Sequence, residues 1–508
     1  MPGLAFAPTL AAERPAQFFR PVEPPRAVQV VARGGLAVAA PENGRRALEM
    51  AIEDGLEWVA VDVRRSHDGR HVLFADERLD DKSNGSGLVK DHTLAQLQAL
   101  DAGSWFAPRF SSARIVSLAE CLKLAKNKIN ICLVCHDVDP AELANEIQTA
   151  GVERQVLVQA DRATIAKLSE LSAGKIKGLI RWQPGDDPAA FDAGAAVALT
   201  GDELTSKLGP AFHDRKLLVL VDVRGSLDQP SGWNQLIAAG AEFLLTDRPA
   251  EALVHVLSQS ISKRSVQIAC HRGASRYAPE NTLPAYATAY ALHADYVEFD
   301  VRPSSDGKYF LLHDGRLDRT TNHKGPIRDL PAATIATLDA GSWFARPFAG
   351  TRVPTLDEFL SAVSPAAQLY FDAKDIRPED LAAALARHNL TSRAVVYQSA
   401  EYLARLKAID ENIRRMPPAR NTADVDRLVA AVKPFAVDTP WRSVNKQYID
   451  HCHAAGVQVF SDAPYGVTVE AFEQAIGWGI DLVQTDYPLR VWRAMERTAA
   501  KNSSREQP

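Results

Sequence analysis

Seven consecutive residues, Asp101-Ala102-Gly103-Ser104-Trp105-Phe106-Ala107, recur unchanged as Asp339-Ala340-Gly341-Ser342-Trp343-Phe344-Ala345. The offset of 238 residues (339 − 101) also relates Asp62 to Asp300 and Asp76 to Asp314. Solenoid, propeller and array repeats run at about 20–50 residues, so a period this long means a duplicated domain. In a chain of 508 residues, each copy is large enough to bury a full core.

Within the second copy, short runs rich in Val, Ile, Leu and Phe alternate with amphipathic stretches of helical period, the βα pattern of a parallel sheet. Strands are expected over 266–270, 296–301 and 309–312, a first helix over 284–293, and later strands over 368–371, 394–397, 435–437, 457–460 and 482–484. The first copy shows matching runs at 28–32, 58–63, 131–134, 156–158, 216–223 and 243–245. The fold class is therefore read as α/β, two tandem (β/α)8 TIM-type barrels, each near the roughly 250 residues usual for that architecture. The expected layout is an N-terminal extension over 1–26, a first barrel over 27–260, a second over 265–498 and a disordered polar tail over 499–508. The stretch 251–264 is read as the last helix of the first copy and a brief connection, and no long flexible linker is expected.

Composition narrows the chemistry. With 46% hydrophobic and 24% charged residues and a net charge of −5, nothing points to nucleic acid or to anionic lipid surfaces. No run approaches the roughly 20 apolar residues of a membrane span, and residues 1–26 lack a basic region followed by a continuous apolar core. The expectation is a cytoplasmic protein without stable membrane anchoring, its two barrels packed against each other, with homo-oligomerisation left open. Cys121, Cys132, Cys135, Cys270 and Cys452 fall mostly in apolar patterns and are read as reduced core residues. Cys132 and Cys135 lack a second Cys pair to complete a tetrahedral zinc site.

The second copy concentrates its chemistry in one run: His271-Arg272-Gly273, Pro279-Glu280-Asn281-Thr282, Glu298-Phe299-Asp300 and His313-Asp314. Glu298 and Asp300 lie two apart on an expected strand, so both project from one face. Two carboxylates held there repel unless a cation sits between them, and hard oxygen ligands favour Mg²⁺ or Ca²⁺. Two imidazoles can supply an acid and a base near neutral pH. His293, His323, His451 and His453 are read as structural or solvated.

These motifs, together with Leu317-Asp318-Arg319-Thr320-Thr321, Val353-Pro354-Thr355-Leu356 and Thr485-Asp486-Tyr487-Pro488, resemble the signature of the glycerophosphodiester phosphodiesterase family over residues 266–492. The resemblance implies metal-dependent cleavage of glycerol phosphodiesters into glycerol 3-phosphate and an alcohol. It implies His271 and His313 as the acid/base pair and Asp372 as a third metal ligand beside Glu298 and Asp300, although the family more often carries Glu there. It also implies Arg272 and Lys374 as contacts to the phosphate. Glu280 and Asn281 are read either as orienting the substrate or the metal ligands, or as the start of a helix. The loop 315–352 is read as a lid or a wall for the alcohol, with Trp343 packed. Phe460-Ser461-Asp462 stands where the family usually shows a Trp motif, which leaves the alcohol open.

The first copy has Ala60, Ala75 and Val134 at the places of Glu298, His313 and Asp372, and one extra residue upstream shifts the offset to 239, which aligns Ala32 with His271. That copy is read as a degenerate pseudo-enzyme that stabilises or regulates the second. Three function classes compete. They are a hydrolase, a transferase or cyclising lyase (phospholipase D-like or sugar phosphodiester chemistry) on the same barrel, and a non-catalytic phosphodiester-binding protein.

Overall fold

The computed structural model describes Phe19 and residues 21–191, 196–261 and 263–505. Residues 1–18, 20 and 506–508 lie outside the described residues, and with them most of the expected extension and the end of the expected tail. The chain divides into two compact units, Met1–Val256 and Leu257–Pro508.

The first unit carries β1 (Gln29–Arg33), β2 (Trp58–Arg65), β3 (His71–Leu73), β4 (Asn130–Cys135), β5 (Val156–Gln159), β6 (Lys177–Arg181), β7 (Ala196–Thr200), β8 (Leu218–Asp222) and β9 (Phe243–Thr246). Parallel pairing runs from β1 through β2, β4, β5, β6, β7, β8 and β9, and β9 pairs back to β1, so eight strands close a barrel. The ninth, β3, is an antiparallel partner of β2. Strands β6 and β7 escaped sequence reading. Lys177-Gly178 opens one with a charge and a glycine, and the other is an Ala-rich run whose β propensity is weak.

The second unit repeats the plan with β10 (Gln267–Cys270), β11 (Tyr296–Pro303), β12 (Tyr309–Leu311), β13 (Gln368–Asp372), β14 (Ala394–Tyr397), β15 (Arg414–Met416), β16 (Ala436–Asp438), β17 (Gln458–Asp462) and β18 (Leu482–Thr485). The run expected over 309–312 is not a barrel strand. As β12 it folds back antiparallel on β11, delivering His313 to the mouth. Strand β15 was also missed, since two of its three residues are arginines; Arg415 turns its guanidinium onto the carbonyls of Val432 (2.9 Å) and Ile413 (2.8 Å). Between β15 and β16 the ladder thins to one bridge, Pro418↔Asp438. Pro417 and Pro418 have no N–H to donate, so the seam stays nearly rather than fully closed.

The interiors follow strand alternation. Ala269, Tyr296, Tyr370, Val395, Met416, Ala436, Phe460 and Leu482 fill the second barrel. In the first, Val31, Trp58, Cys132, Leu157, Leu179, Leu218 and Phe243 do so, and Phe19 lies edge-on against Trp58 at 4.8 Å. Burying such a ring is worth about 1.5–3 kcal/mol, which ties the chain before β1 into this core. Helix starts are also duplicated. Ser117 with Glu120, and Thr355 with Glu358, form capping boxes one repeat apart, each satisfying two backbone donors that the first helical turn would otherwise orphan. The final helix is Pro488–Arg505, so residues 499–505 are helical, which corrects the expected disordered tail.

Candidate active site

Two residues beyond the packed layer of the second barrel, alternation brings the next side chains inward at the C-terminal ends of the strands. His271 follows Ala269, Glu298 follows Tyr296, and Asp372 follows Tyr370. Barrel enzymes build their sites at this end.

Glu298, Asp300 and Asp372 each offer a carboxylate oxygen, and these oxygens lie within 4.8 Å of one another. Parallel register sets this directly, with Asp300 opposite Asp372 on β11 and β13. Glu298 and Asp300 are almost wholly buried. Burial, then the neighbouring charge of Asp300, pushes both Glu298 and Asp372 above the ordinary carboxylate range. Three hard oxygens at this spacing fit a divalent cation, whose bonds to oxygen run about 2.0–2.6 Å. Lys374 lies just past the end of β13, with its ammonium 2.6 Å from Asp372 and 3.2 Å from Asp300. It partly neutralises the cluster and stands within reach of an anion bound there.

The two histidines are held alike. His271 Nδ1 is 2.9 Å from Asp486, which also accepts from the Ser275 hydroxyl at 3.0 Å. His313 Nδ1 is 2.8 Å from Asp314. Among the described residues neither Nε2 has a hydrogen-bond partner, so Nδ1 fixes each ring and Nε2 remains for chemistry. Burial alone would lower His271, but the Asp486 hydrogen bond and the charges of Glu298 and Asp486 outweigh it and raise the imidazole to about 9. Asp314 is held down to about 2, chiefly by its bond to Arg319.

Asn281 and Glu280 are both tied by hydrogen bonds to charged residues at the barrel mouth. Asn281 adopts φ 55°, accepts from the Asp300 amide (3.2 Å) and from Tyr286 Oη (3.0 Å), and donates to the Asp300 carboxylate (2.9 Å). It thereby orients one carboxylate of the Glu298, Asp300 and Asp372 cluster. Glu280 accepts from Arg272 at 2.9 Å and from both Nη groups of Arg319 at 2.6 and 2.8 Å. Arg272 has φ 54°, and its amide donates to Glu298 at 2.6 Å. Its buried Nε makes no hydrogen bond and lies 3.7 Å from the Asp300 carboxylate. Trp343 donates to the Ala340 carbonyl at 2.8 Å and stacks edge-on with Phe344, as expected of a packing residue. Sequence reasoning gave no role to Asp486, Asp314 or Tyr286, and Arg319 entered only as part of the lid loop. Asp486 and Asp314 did stand inside the motifs quoted, next in sequence to Thr485 and His313.

The first unit answers differently. Strand register pairs Val31 with Trp58 there and Ala269 with Tyr296 in the second unit, so the offset on the first strand is 238 throughout. No extra residue precedes it. Arg33, not Ala32, occupies the place of His271, and Gly34 that of Arg272. Arg33 is bound to Asp247 at 2.7 Å, where His271 meets Asp486, and also to Asp222 at 2.6 Å. His136 takes the place of Lys374, 2.9 Å from Asp62. Ala60, Ala198 and Leu245 join the core cluster with Val134 packed on it, and Lys82 pairs with Glu42 and Asp76.

Both units are similar to proteins of one family. The family described as the glycerophosphoryl diester phosphodiesterase family matches residues 33–174 and 271–489. A glycerophosphodiester phosphodiesterase of Bacillus subtilis (strain 168) is 33% identical over 254 residues, covering 45% of this chain and 86% of that protein. One from Caldanaerobacter subterraneus subsp. tengcongensis is 28% identical over 237 residues, covering 44% and 94%. Among solved structures, a glycerophosphodiester phosphodiesterase from Agrobacterium tumefaciens is 30% identical with a TM-score of 0.42, covering 45% of this chain and 99% of that one. An Oleispira antarctica phosphodiesterase in complex with the product sn-glycerol-3-phosphate is 27% identical with a TM-score of 0.41, covering 45% and 96%.

Proposed function

The chain belongs to the glycerophosphoryl diester phosphodiesterase family and is a phosphoric diester hydrolase, and we propose that its second unit cleaves glycerophosphodiesters to glycerol 3-phosphate and an alcohol. The observation that carries this reading is the cluster of Glu298, Asp300 and Asp372 beside two imidazoles, each held through Nδ1 by an aspartate.

Glu298, Asp300 and Asp372 would hold one divalent cation, Mg²⁺ or Ca²⁺, which when bound supplies Lewis-acid polarisation of a phosphoryl oxygen. Arg272 and Lys374 contact the remaining phosphate charge. One imidazole takes the proton from the glycerol hydroxyl as its oxygen attacks phosphorus. The other protonates the departing alcohol oxygen as the P–O bond breaks, leaving a cyclic phosphate. The roles then reverse: water loses a proton to the second imidazole and opens the ring, and the first returns its proton to the freed glycerol oxygen. Asp486 and Asp314 keep each ring in one tautomer. The first unit lacks two of the three carboxylates and both histidines, and its Arg33 pairs with Asp222 and Asp247; these substitutions support a non-catalytic role there, stabilising or regulating its neighbour in sequence.

The test is release of glycerol 3-phosphate from a panel of glycerophosphodiesters with Mg²⁺, Ca²⁺ or chelator, comparing wild type with His271→Ala. Cation-dependent release lost in the variant is expected. Equal release by both proteins, or a cyclic phosphate as the only product, would overturn hydrolysis by this route.

A further inference from the structure

Among the described residues Arg319 makes no hydrogen bond to the acidic cluster or to either imidazole, yet it joins both sides of the second barrel's mouth. Its Nε donates to one oxygen of Asp314 at 2.8 Å, and the other oxygen of that carboxylate lies 2.8 Å from His313 Nδ1. Its two Nη groups donate to the two oxygens of Glu280 at 2.6 and 2.8 Å, and Glu280 also accepts from Arg272 at 2.9 Å. Every guanidinium nitrogen is thus committed. One planar fork spans the carboxylate behind His313 and the carboxylate behind Arg272, a geometry that fixes direction as well as distance.

The turn that carries Arg319 is anchored on both sides of it. Leu317, Thr320 and Thr321 are buried, Leu317 within the apolar cluster under the loop, and the Thr321 hydroxyl donates to the Leu317 carbonyl at 2.8 Å. The fork is therefore held before any ligand arrives, and little side-chain freedom is left to lose. Its bond to Arg319 is the largest of the influences that hold Asp314 down to about 2. Arg319 is raised in turn, first by Glu280, so Arg319 and Asp314 both stay charged across neutral pH.

The first unit supplies an internal control. Glu42 and Asp76 stand in the places of Glu280 and Asp314, and Lys82 bridges them at 2.6 and 2.8 Å. That lysine comes from the place of Thr320, while Asp81 stands in the place of Arg319. Ala75 replaces His313 there and Gly34 replaces Arg272, so the bridge has no imidazole and no guanidinium to position. A single ammonium ties the two acids together. It is a point charge, however, and does not fix the plane of either carboxylate as a bidentate fork does. The bridge is common to both units, and the fork accompanies the histidine.

We propose that Arg319 is a positioning residue for hydrolysis, orienting His313 through Asp314 and Arg272 through Glu280 so that the proton-transfer group and the anion contact are aligned together. This deepens the hydrolytic reading and rests on it. The test is Arg319→Lys in the whole chain, which keeps the charge and removes the fork; the lysine bridge of the first unit is compatible with a folded barrel. Melting temperature and circular dichroism are expected to stay near wild type. For the diester that wild type cleaves best, kcat is expected to fall about 10- to 100-fold with KM within about threefold. A kcat within about threefold of wild type overturns the proposal, and so does a raised KM with unchanged kcat, which would make Arg319 a direct substrate contact. Nitrogen-15 NMR of the neutral His313 ring reads the positioning without turnover. Wild type is expected to hold one tautomer, with the proton on Nδ1, and Arg319→Lys to show both. If wild type cleaves no diester of the panel but the variant loses the single tautomer, the hydrolytic reading fails and the positioning role stands. A mixture of tautomers in wild type, or a ring unchanged in the variant, overturns it. Should Arg319→Lys not fold, the double variant Arg319→Asp/Thr320→Lys rebuilds the bridge of the first unit and carries the same measurements, with the same outcomes expected.

Discussion

Replacing Asp486 by Asn isolates the bond that holds His271. The imidazole sits near 9 against an ordinary 6.5, a rise worth about 3 kcal/mol. Burial opposes it, and the Asp486 hydrogen bond leads the groups that produce it, followed by the charges of Glu298 and Asp486. A hydrogen bond to a charged group contributes about 1.5–3 kcal/mol, so Asp486→Asn should lower the His271 pKa by about one to two pH units. A cation held by Glu298 cancels much of that carboxylate's share, so the loss should be clearest with metal bound. The limb of the kcat/KM pH profile set by His271 should move to lower pH by the same amount, with a rate loss of about 10- to 100-fold. The stability effect has a definite sign. Because the folded pKa is raised, the contribution is full below about 6.5 and disappears as pH rises through about 9. The variant should therefore melt lower than wild type at pH 6 and nearly level with it at pH 10. Titration of the His271 ring by NMR, with the pH–rate profile, measures both. An unmoved pKa together with a rate within twofold of wild type would refute the pairing as the source of the shift.

His271→Ala and His313→Ala should each reduce kcat by about 10²–10⁴-fold while circular dichroism and melting temperature stay near wild type; activity within tenfold in either would remove that residue from proton transfer. Calorimetry should find one divalent ion bound by the Glu298, Asp300 and Asp372 cluster, weakened at least tenfold in Glu298→Gln. Its affinity should also fall from pH 7 to pH 5, because the raised carboxylates take up protons that compete with the ion; pH-independent binding would contradict the site. Gly273→Ala should cost more than about 1 kcal/mol in denaturant unfolding, since Gly273 has φ 75° and a Cβ there would meet that of Ala285 at 2.8 Å. Arg33→Ala should destabilise the first unit by about 1–3 kcal/mol, because Asp222 and Asp247 lose the same partner, with hydrolysis by the second unit kept within twofold.

The chain's own residues determined the duplication, the α/β alternation and most barrel strands, since a seven-residue identity and runs of β-branched and aliphatic residues are local signals. They also marked Glu298, Asp300, His271 and His313, because paired acids two apart and histidines at strand ends are visible in one dimension. What lay beyond them was set by register. Only the pairing of Val31 with Trp58 reveals that Arg33 stands in for His271, since a one-residue shift turns every side chain to the opposite face of a strand and sequence spacing alone admitted a gap. The partners of the two histidines behave the same way. Asp314 is next to His313 in the chain, but Asp486 reaches His271 across 215 residues, through β10 and β18 lying side by side. Local propensity decides which segments become strands, and barrel closure decides which of their ends meet.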